Sequence, residues 1–108
     1  MNLINFNDFE KIDLRLIKII SAERVENSEK LLKILAEIGG ERKQIIAGIG
    51  KFYSPEDLIG KIVVAIVNLE PRMIVGLESQ AMILAGKSED DLSLIIPEKD
   101  LPFGLKLS

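Results

Sequence analysis

Five cations stand out in a sequence with few other reactive groups. Lys30 and Lys33 flank a turn signal at Asn27–Lys30, Arg42 and Lys43 follow the pair Gly39-Gly40, and Arg72 directly follows Pro71. A folded nucleic acid held without readout of its sequence needs such donors on a rigid surface. On a proline-stiffened turn, the Arg72 guanidinium can pair a phosphate through two N–H groups. Lys33, Arg42 and Lys43 can equally be solvated charges on a strand face. The neighbouring carboxylates Glu56-Asp57 and Asp90-Asp91 offer an acid and a base in principle. Adjacent carboxylates in turns are far more often simply solvated. Gly48-Ile49-Gly50-Lys51 looks like a fragment of a phosphate loop but lacks the spacing of one. The chain has no Cys and no His. That removes thiolate and imidazole chemistry, the common zinc and iron sites, and every disulfide. Binding, with no cofactor and no catalytic residue, is the expectation.

The 108 residues fit one domain, and 47% hydrophobic against 29% charged residues allows a packed core. The net charge of −3 and a pI near 5.0 argue at first sight against a polyanionic partner. The distribution weakens that objection. Residues 1–51 carry nine Lys/Arg and eight Asp/Glu, whereas residues 52–108 carry five and nine. Much of the acidic excess lies in Ser88–Asp100. Screening over ~8 Å at physiological salt leaves a local basic patch intact. Met1-Asn2-Leu3-Ile4-Asn5-Phe6 lacks the basic flank and long apolar run of a signal peptide. No apolar stretch approaches the ~18 residues of a membrane span. With zero cysteines, a cytoplasmic setting without membrane association is expected.

The elements that must position these cations are mostly strands. Asn5 reads as an N-cap for one or two helical turns, with Phe6, Phe9 and Ile12 as the expected buried stripe. Leu14 to Val25 is Ile-rich and free of breakers, which predicts a long strand. Asn27 to Gly40 conflicts with itself. Leu31, Leu35 and Ile38 fall at helical spacing between a Ser28 cap and Gly39, while Leu32, Ile34, Ala36 and Ile38 alternate as a strand. Gly39-Gly40 suits a two-residue hairpin turn into Glu41–Ala47. Ser54-Pro55-Glu56-Asp57-Leu58 predicts a helical turn with Pro at its first position. Lys61–Val67 is a strand apolar on both faces. Asn68–Arg72 is a turn, followed by Met73–Glu78 and a last core strand at Ala81–Ala85. The pattern predicts an all-β fold, either a Greek-key barrel or a small sandwich.

Ordered motifs then carry a resemblance. Phe9-Glu10-Lys11-Ile12-Asp13-Leu14-Arg15 and Glu29-Lys30-Leu31-Leu32 come first. Gly48-Ile49, Tyr53-Ser54-Pro55-Glu56-Asp57-Leu58 and Gly60-Lys61 follow, then Val67-Asn68-Leu69-Glu70-Pro71-Arg72 and Gly76-Leu77-Glu78-Ser79-Gln80-Ala81-Met82-Ile83-Leu84-Ala85. Together they resemble the tRNA-binding domain at the C-terminus of many methionyl-tRNA synthetases, found also as a free-standing structure-specific tRNA-binding protein. The resemblance runs from about Phe6 to Ala85 and more loosely to Leu107. It implies a five-stranded oligonucleotide-binding (OB) Greek-key barrel with short helices and a C-terminal extension, and places Leu31–Ile38 in a strand. It also implies tRNA-binding roles for Lys30, Asn68, Arg72, Ser79 and Met82, to which charge and placement alone add Lys33 and Arg42. The bland alternatives are a turn cap for Asn68, a turn or cap role for Ser79, and core packing for Met82.

Some positions depart from the family. Glu26-Asn27-Ser28-Glu29 stands where a His-Pro pair is frequent, and Ile17 where glycine is common. Met73 replaces a second basic residue, and Ala81 replaces a glycine. The resemblance implies a non-catalytic module that grips the outer corner of tRNA without sequence preference and assists a synthetase, methionyl above all. A protein-binding, chaperone-like domain of the secretion-chaperone branch is the alternative, and an enzyme in its own right ranks last. The expected organisation is one domain over residues 1–108, with a barrel at about 12–86 and an extension at 87–108. The apolar run Leu92–Leu107 is expected to pack against a second copy in a homodimer.

Overall fold

The computed structural model describes residues 1–108. Its centre is one antiparallel five-stranded sheet, ordered β3 (Glu41–Ala47), β2 (Leu32–Ile38), β1 (Leu14–Arg24), β4 (Ile62–Ile66) and β7 (Met82–Ile83), and curled into a half-barrel. β1 (Leu14–Arg24) is long enough to serve two partners. Its first half pairs with β4 (Ile62–Ile66), its second with β2 (Leu32–Ile38), and Lys18 belongs to both ladders. The change of partner coincides with a bulge between Ile19 and Ser21. An unpaired residue bends a strand and increases its twist, which is what curls the sheet.

β2 resolves the conflict between helical and strand spacing in favour of the strand. Leu32, Ile34, Ala36 and Ile38 are buried, while Leu35 lies half-exposed on the opposite face. β2 pairs along its length with β3 (Glu41–Ala47) as well as with β1, so tertiary pairing overrides helix propensity. The turn between them has φ of +48° at Gly39 and +106° at Gly40, both positive as a type I′ turn requires. The core consists of Ile17, Ile19, Leu32, Ile34, Ile45, Leu58 and Val63, each with at most 1% exposure, and their neighbours. Leu58 comes from helix α2 (Pro55–Leu58), which plugs one end. Ser54 Oγ donates to Asp57 Oδ2 at 2.7 Å and so ties the start of that turn.

The sequence makes an OB-like barrel, as expected, with part of its closure made by side chains. β3 ends the ladder on one side and β7 (Met82–Ile83) on the other. Between β3 and the approach to β7, Ser79 Oγ accepts from Ile46 N–H at 2.9 Å and donates to Ala81 O at 3.2 Å. Gln80 accepts the Gln44 N–H on its Oε1 at 2.8 Å, and its own N–H donates to Gln44 O at 2.8 Å. The Gln44 amide nitrogen donates to Glu78 O at 2.8 Å.

Two expectations fail. Helix α1 (Phe6–Glu10) is capped by Asn5 Oδ1 accepting from Asp8 N–H at 2.8 Å, yet it buries no residue. Phe6 is 69% exposed and Ile12 37%, because the helix lies outside the barrel and packs none of its turns into the core. Part of the C-terminal run, expected against a second copy, is instead held by its own sheet. Beyond β8 (Ala85–Lys87) and β9 (Leu92–Leu94), Ile95 O accepts from Val64 N–H at 3.0 Å. Leu105 O accepts from Leu16 N–H at 3.0 Å, and Leu107 N–H donates to Leu14 O at 2.8 Å. This tail covers Leu16 and Val64 on the outer face of the sheet. Leu94, expected at an interface, belongs to the barrel's own core at 6% exposure.

Candidate nucleic-acid interface

The hairpin β5 (Arg72–Ile74) and β6 (Leu77–Ser79) stands apart from the five-stranded sheet and is held to it through the Ser79–Gln80 bonds described above. Arg72 pairs with Ser79 across the hairpin. The two residues and Met82 line a small cleft of about 60 Å³, whose walls include Leu69, Glu70, Ile46 and Ala81. Three of the sequence-derived site residues therefore meet. Their characters differ. Ser79 is 7% exposed and fully used in internal hydrogen bonds, so it builds the cleft. Met82 is 42% exposed and offers a soft apolar surface, against the alternative in which strand spacing sends it into the core. Arg72 is exposed and has no ion-pair or hydrogen-bond partner within the chain, which leaves its five donors free.

The other named residues are placed elsewhere. Lys30 is exposed on the turn before β2. Lys33, on β2, is 3.0 Å from Glu23 Oε1, in an ion pair open to solvent. Arg42 is 3.5 Å from Glu37 and sits next to the Gly39-Gly40 turn, about 13 Å along β3 from Ile46 in the cleft wall. Lys43 donates to Val67 O at 3.2 Å and so braces the chain just before Asn68. Asn68 caps no local turn. Its Oδ1 accepts from Asp13 N–H at 2.8 Å and its Nδ2 donates to Lys11 O at 2.6 Å, so it fastens the start of β1 to the end of β4.

Gln44 and Gln80 matter as much as any residue the sequence singled out, because they hold the hairpin that carries Arg72. The signal available was the polar triplet Glu78-Ser79-Gln80 set between apolar residues, but nothing local pairs Gln80 with a residue 36 positions earlier. Tyr53 packs against the core, and its hydroxyl accepts from Leu94 N–H at 3.1 Å.

Free cations, a soft apolar wall and a rigid barrel define a surface suited to a polyanion with exposed bases. Comparison with known proteins agrees. Residues 14–106 match the family described as "Putative tRNA binding domain". The chain is 46% identical over 107 residues to the methionine–tRNA ligase of Thermotoga maritima, across 99% of this chain and 17% of that protein. For the ligase of Methanococcus aeolicus the identity is 48% over 104 residues, covering 96% and 15%. Among solved structures, a MetRS-related protein from Pyrococcus horikoshii superposes with a TM-score of 0.93 at 31% identity, over 100% of both chains. Chaperone CsaA from Bacillus anthracis gives 0.90 at 37%, over 99% of this chain and 100% of its own. This chain belongs to the tRNA-binding domain family related to methionine–tRNA ligases. It spans about a sixth of the length of the ligases it matches, and it is a binding unit with no catalytic function of its own.

Proposed function

We propose that the chain grips the outer corner of tRNA by shape, without sequence preference, and so helps a synthetase retain its substrate. The observation that carries this reading is Arg72, an unpaired guanidinium on a hairpin clamped to the barrel beside the exposed Met82. Phosphate contacts of this kind fix position and say nothing about sequence. The identities to methionine–tRNA ligases favour that enzyme as the partner. A tethered module of this kind works by raising the effective concentration of tRNA near the active site. The cytoplasm, where charged tRNA is used, is the setting this function requires.

The test is binding of unrelated tRNAs at several salt concentrations. Arg72→Ala and Lys30→Ala should each weaken all tRNAs alike, and each should reduce the salt slope by about one unit. A double variant that binds like the parent overturns the site.

The likeness to chaperone CsaA favours a second reading, in which the same face takes protein. Met73 at 67% exposure, Val75 at 68% and Met82 at 42% supply the adaptable apolar surface such a role needs. Capture of an unfolded polypeptide by a parent that ignores tRNA would select it.

The homodimer belongs to the proposal as well. Leu3, Ile4 and Phe6 near the N-terminus and Ile95, Ile96, Leu101 and Leu105 on the tail remain exposed after the chain has folded. A second copy would cover such surfaces and stabilise the fold by mass action. Sedimentation over a range of concentrations is the check, and a constant 12.0 kDa species overturns it.

A further inference from the structure

Two non-glycine residues in this chain have left-handed backbone, Asn27 with φ of +64° and Val75 with φ of +45°. For a β-branched residue such as Val this is a genuine outlier. The two come from segments far apart in sequence, yet both line one open cleft of about 490 Å³ between the hairpin tip and the turn after β1. Strained residues collect where a ligand is clamped, and the inference runs from the observed outlier to function. The volume falls in the range of small-ligand sites, ~300–1,000 Å³.

We infer that this cleft takes one unstacked nucleobase of the bound RNA, which rests on the tRNA-binding reading and makes it more specific. Val75, Leu77 and Val25 provide apolar walls for the base faces. Asn27 lines the cleft, and its side-chain amide makes no hydrogen bond within the chain, so both its donor and its acceptor are free for a base edge. Lys33 also lines the cleft, held by Glu23 in an ion pair with side-chain exposures of 39% and 67%. Such a pair is weak, and its ammonium can turn to the phosphate that accompanies the base. The weakly paired ammonium, the amide without a partner and the apolar walls thus offer one contact for each part of a nucleotide. The bases of a folded RNA that can be splayed out in this way lie in its loops and bends.

The strain itself supplies the test, since glycine accepts the left-handed region at no steric cost. Val75→Gly and Asn27→Gly should fold with unchanged or raised melting temperatures and bind bulk tRNA about five- to tenfold more weakly. Their salt slopes should equal the parent's, because no phosphate contact is removed. Val75→Asn, which keeps a side chain tolerant of left-handed backbone but removes the apolar wall, should lose affinity to the same degree. Polyphosphate, which has charge but no bases, should bind parent and variants equally. Variants that melt like the parent and bind tRNA with its affinity overturn the pocket. So does an equal loss for polyphosphate, which would assign the cleft to phosphate alone. Loss of unfolded-peptide binding with tRNA affinity intact would give the cleft to protein instead. A parent that binds no tRNA overturns the proposed function first, and the two failures are thereby told apart.

Discussion

The barrel is completed in two places without a full strand ladder, and the two solutions are opposite in chemistry. Along β3, the seam is polar. Ser79, Gln80 and Gln44 satisfy the backbone groups of the edge with side-chain atoms, and the hairpin they hold presents Arg72 to solvent. On the outer face of β1 and β4 the cover is apolar. The tail from Ile95 to Leu107 makes backbone bonds to Leu14, Leu16 and Val64, and turns Ile96 and Leu101 outward. Backbone groups must be paired either way. Using side chains frees the neighbouring main chain to form a protruding hairpin, and a protruding hairpin can meet a large ligand. Using main chain lays the tail flat, and what a flat apolar tail can meet is another flat surface. The polar seam is therefore the face proposed for RNA, and the apolar cover the face proposed for a second copy.

The largest effect should come from confusing the inner and outer faces of the C-terminal segment that begins with β9. Leu94→Asp puts an unpaired carboxylate into the core, at a cost of about 4 kcal/mol or more. Domains of this size have only ~5–15 kcal/mol to lose, so denaturant melts should show a largely unfolded chain at modest urea. Ile96→Asp changes a residue that is 62% exposed and should move the melt by no more than about 0.5 kcal/mol. Its effect should instead appear in sedimentation, as a shift toward the monomer. Equal melts for the two variants would erase the distinction between inner and outer tail residues.

The polar seam comes next. Ser79→Ala leaves the buried Ile46 N–H without its acceptor, which should cost about 1–3 kcal/mol in a urea melt. Weaker tRNA binding would follow from a loosened hairpin, and it should recover partly in Ser79→Thr, which keeps the hydroxyl. Arg72→Ala should do the reverse, with a melt unchanged within about 0.5 kcal/mol and a shallower salt dependence of tRNA binding. If Arg72→Ala unfolds the chain instead, the free guanidinium assigned to the hairpin is wrong.

These contrasts also separate what was legible in the sequence from what was not. Strands β1 and β4 were legible because runs such as Ile62-Val63-Val64-Ala65 have one good solution, burial on both faces. β2 was ambiguous on local grounds, since Leu31, Leu35 and Ile38 suit a helix, and the pairing that decides it involves residues from β1 and β3. Ser79 and Asn68 could be named as site positions by resemblance. Their partners could not be named, because Asn68 bonds to residues 55 and 57 positions away. Phe6 and Leu94 had the right type for burial and for an interface respectively, and the fold assigns them the opposite surroundings. Residue type sets what a side chain prefers, and only the closed barrel sets which neighbours are left. The left-handed Val75 left no trace in the sequence at all, since nothing about a valine announces φ of +45°.

The smallest effect concerns a charge pair on the binding side. Glu23 holds Lys33 at 3.0 Å, so the two charges nearly cancel for any distant phosphate. Exposed pairs of this kind contribute about 0–1 kcal/mol to stability, and Glu23→Gln should therefore leave the melt almost unchanged. It removes one negative charge beside the proposed RNA cleft and frees one ammonium. Affinity for tRNA should rise about twofold at low salt, and the gain should shrink as salt increases. Lys33→Ala alone should produce a similarly small loss. Combining Glu23→Gln with Lys33→Ala should abolish the gain, because the released charge is then absent. If the double variant keeps the full twofold gain, the carboxylate acts by repulsion alone and Lys33 takes no part in holding the RNA.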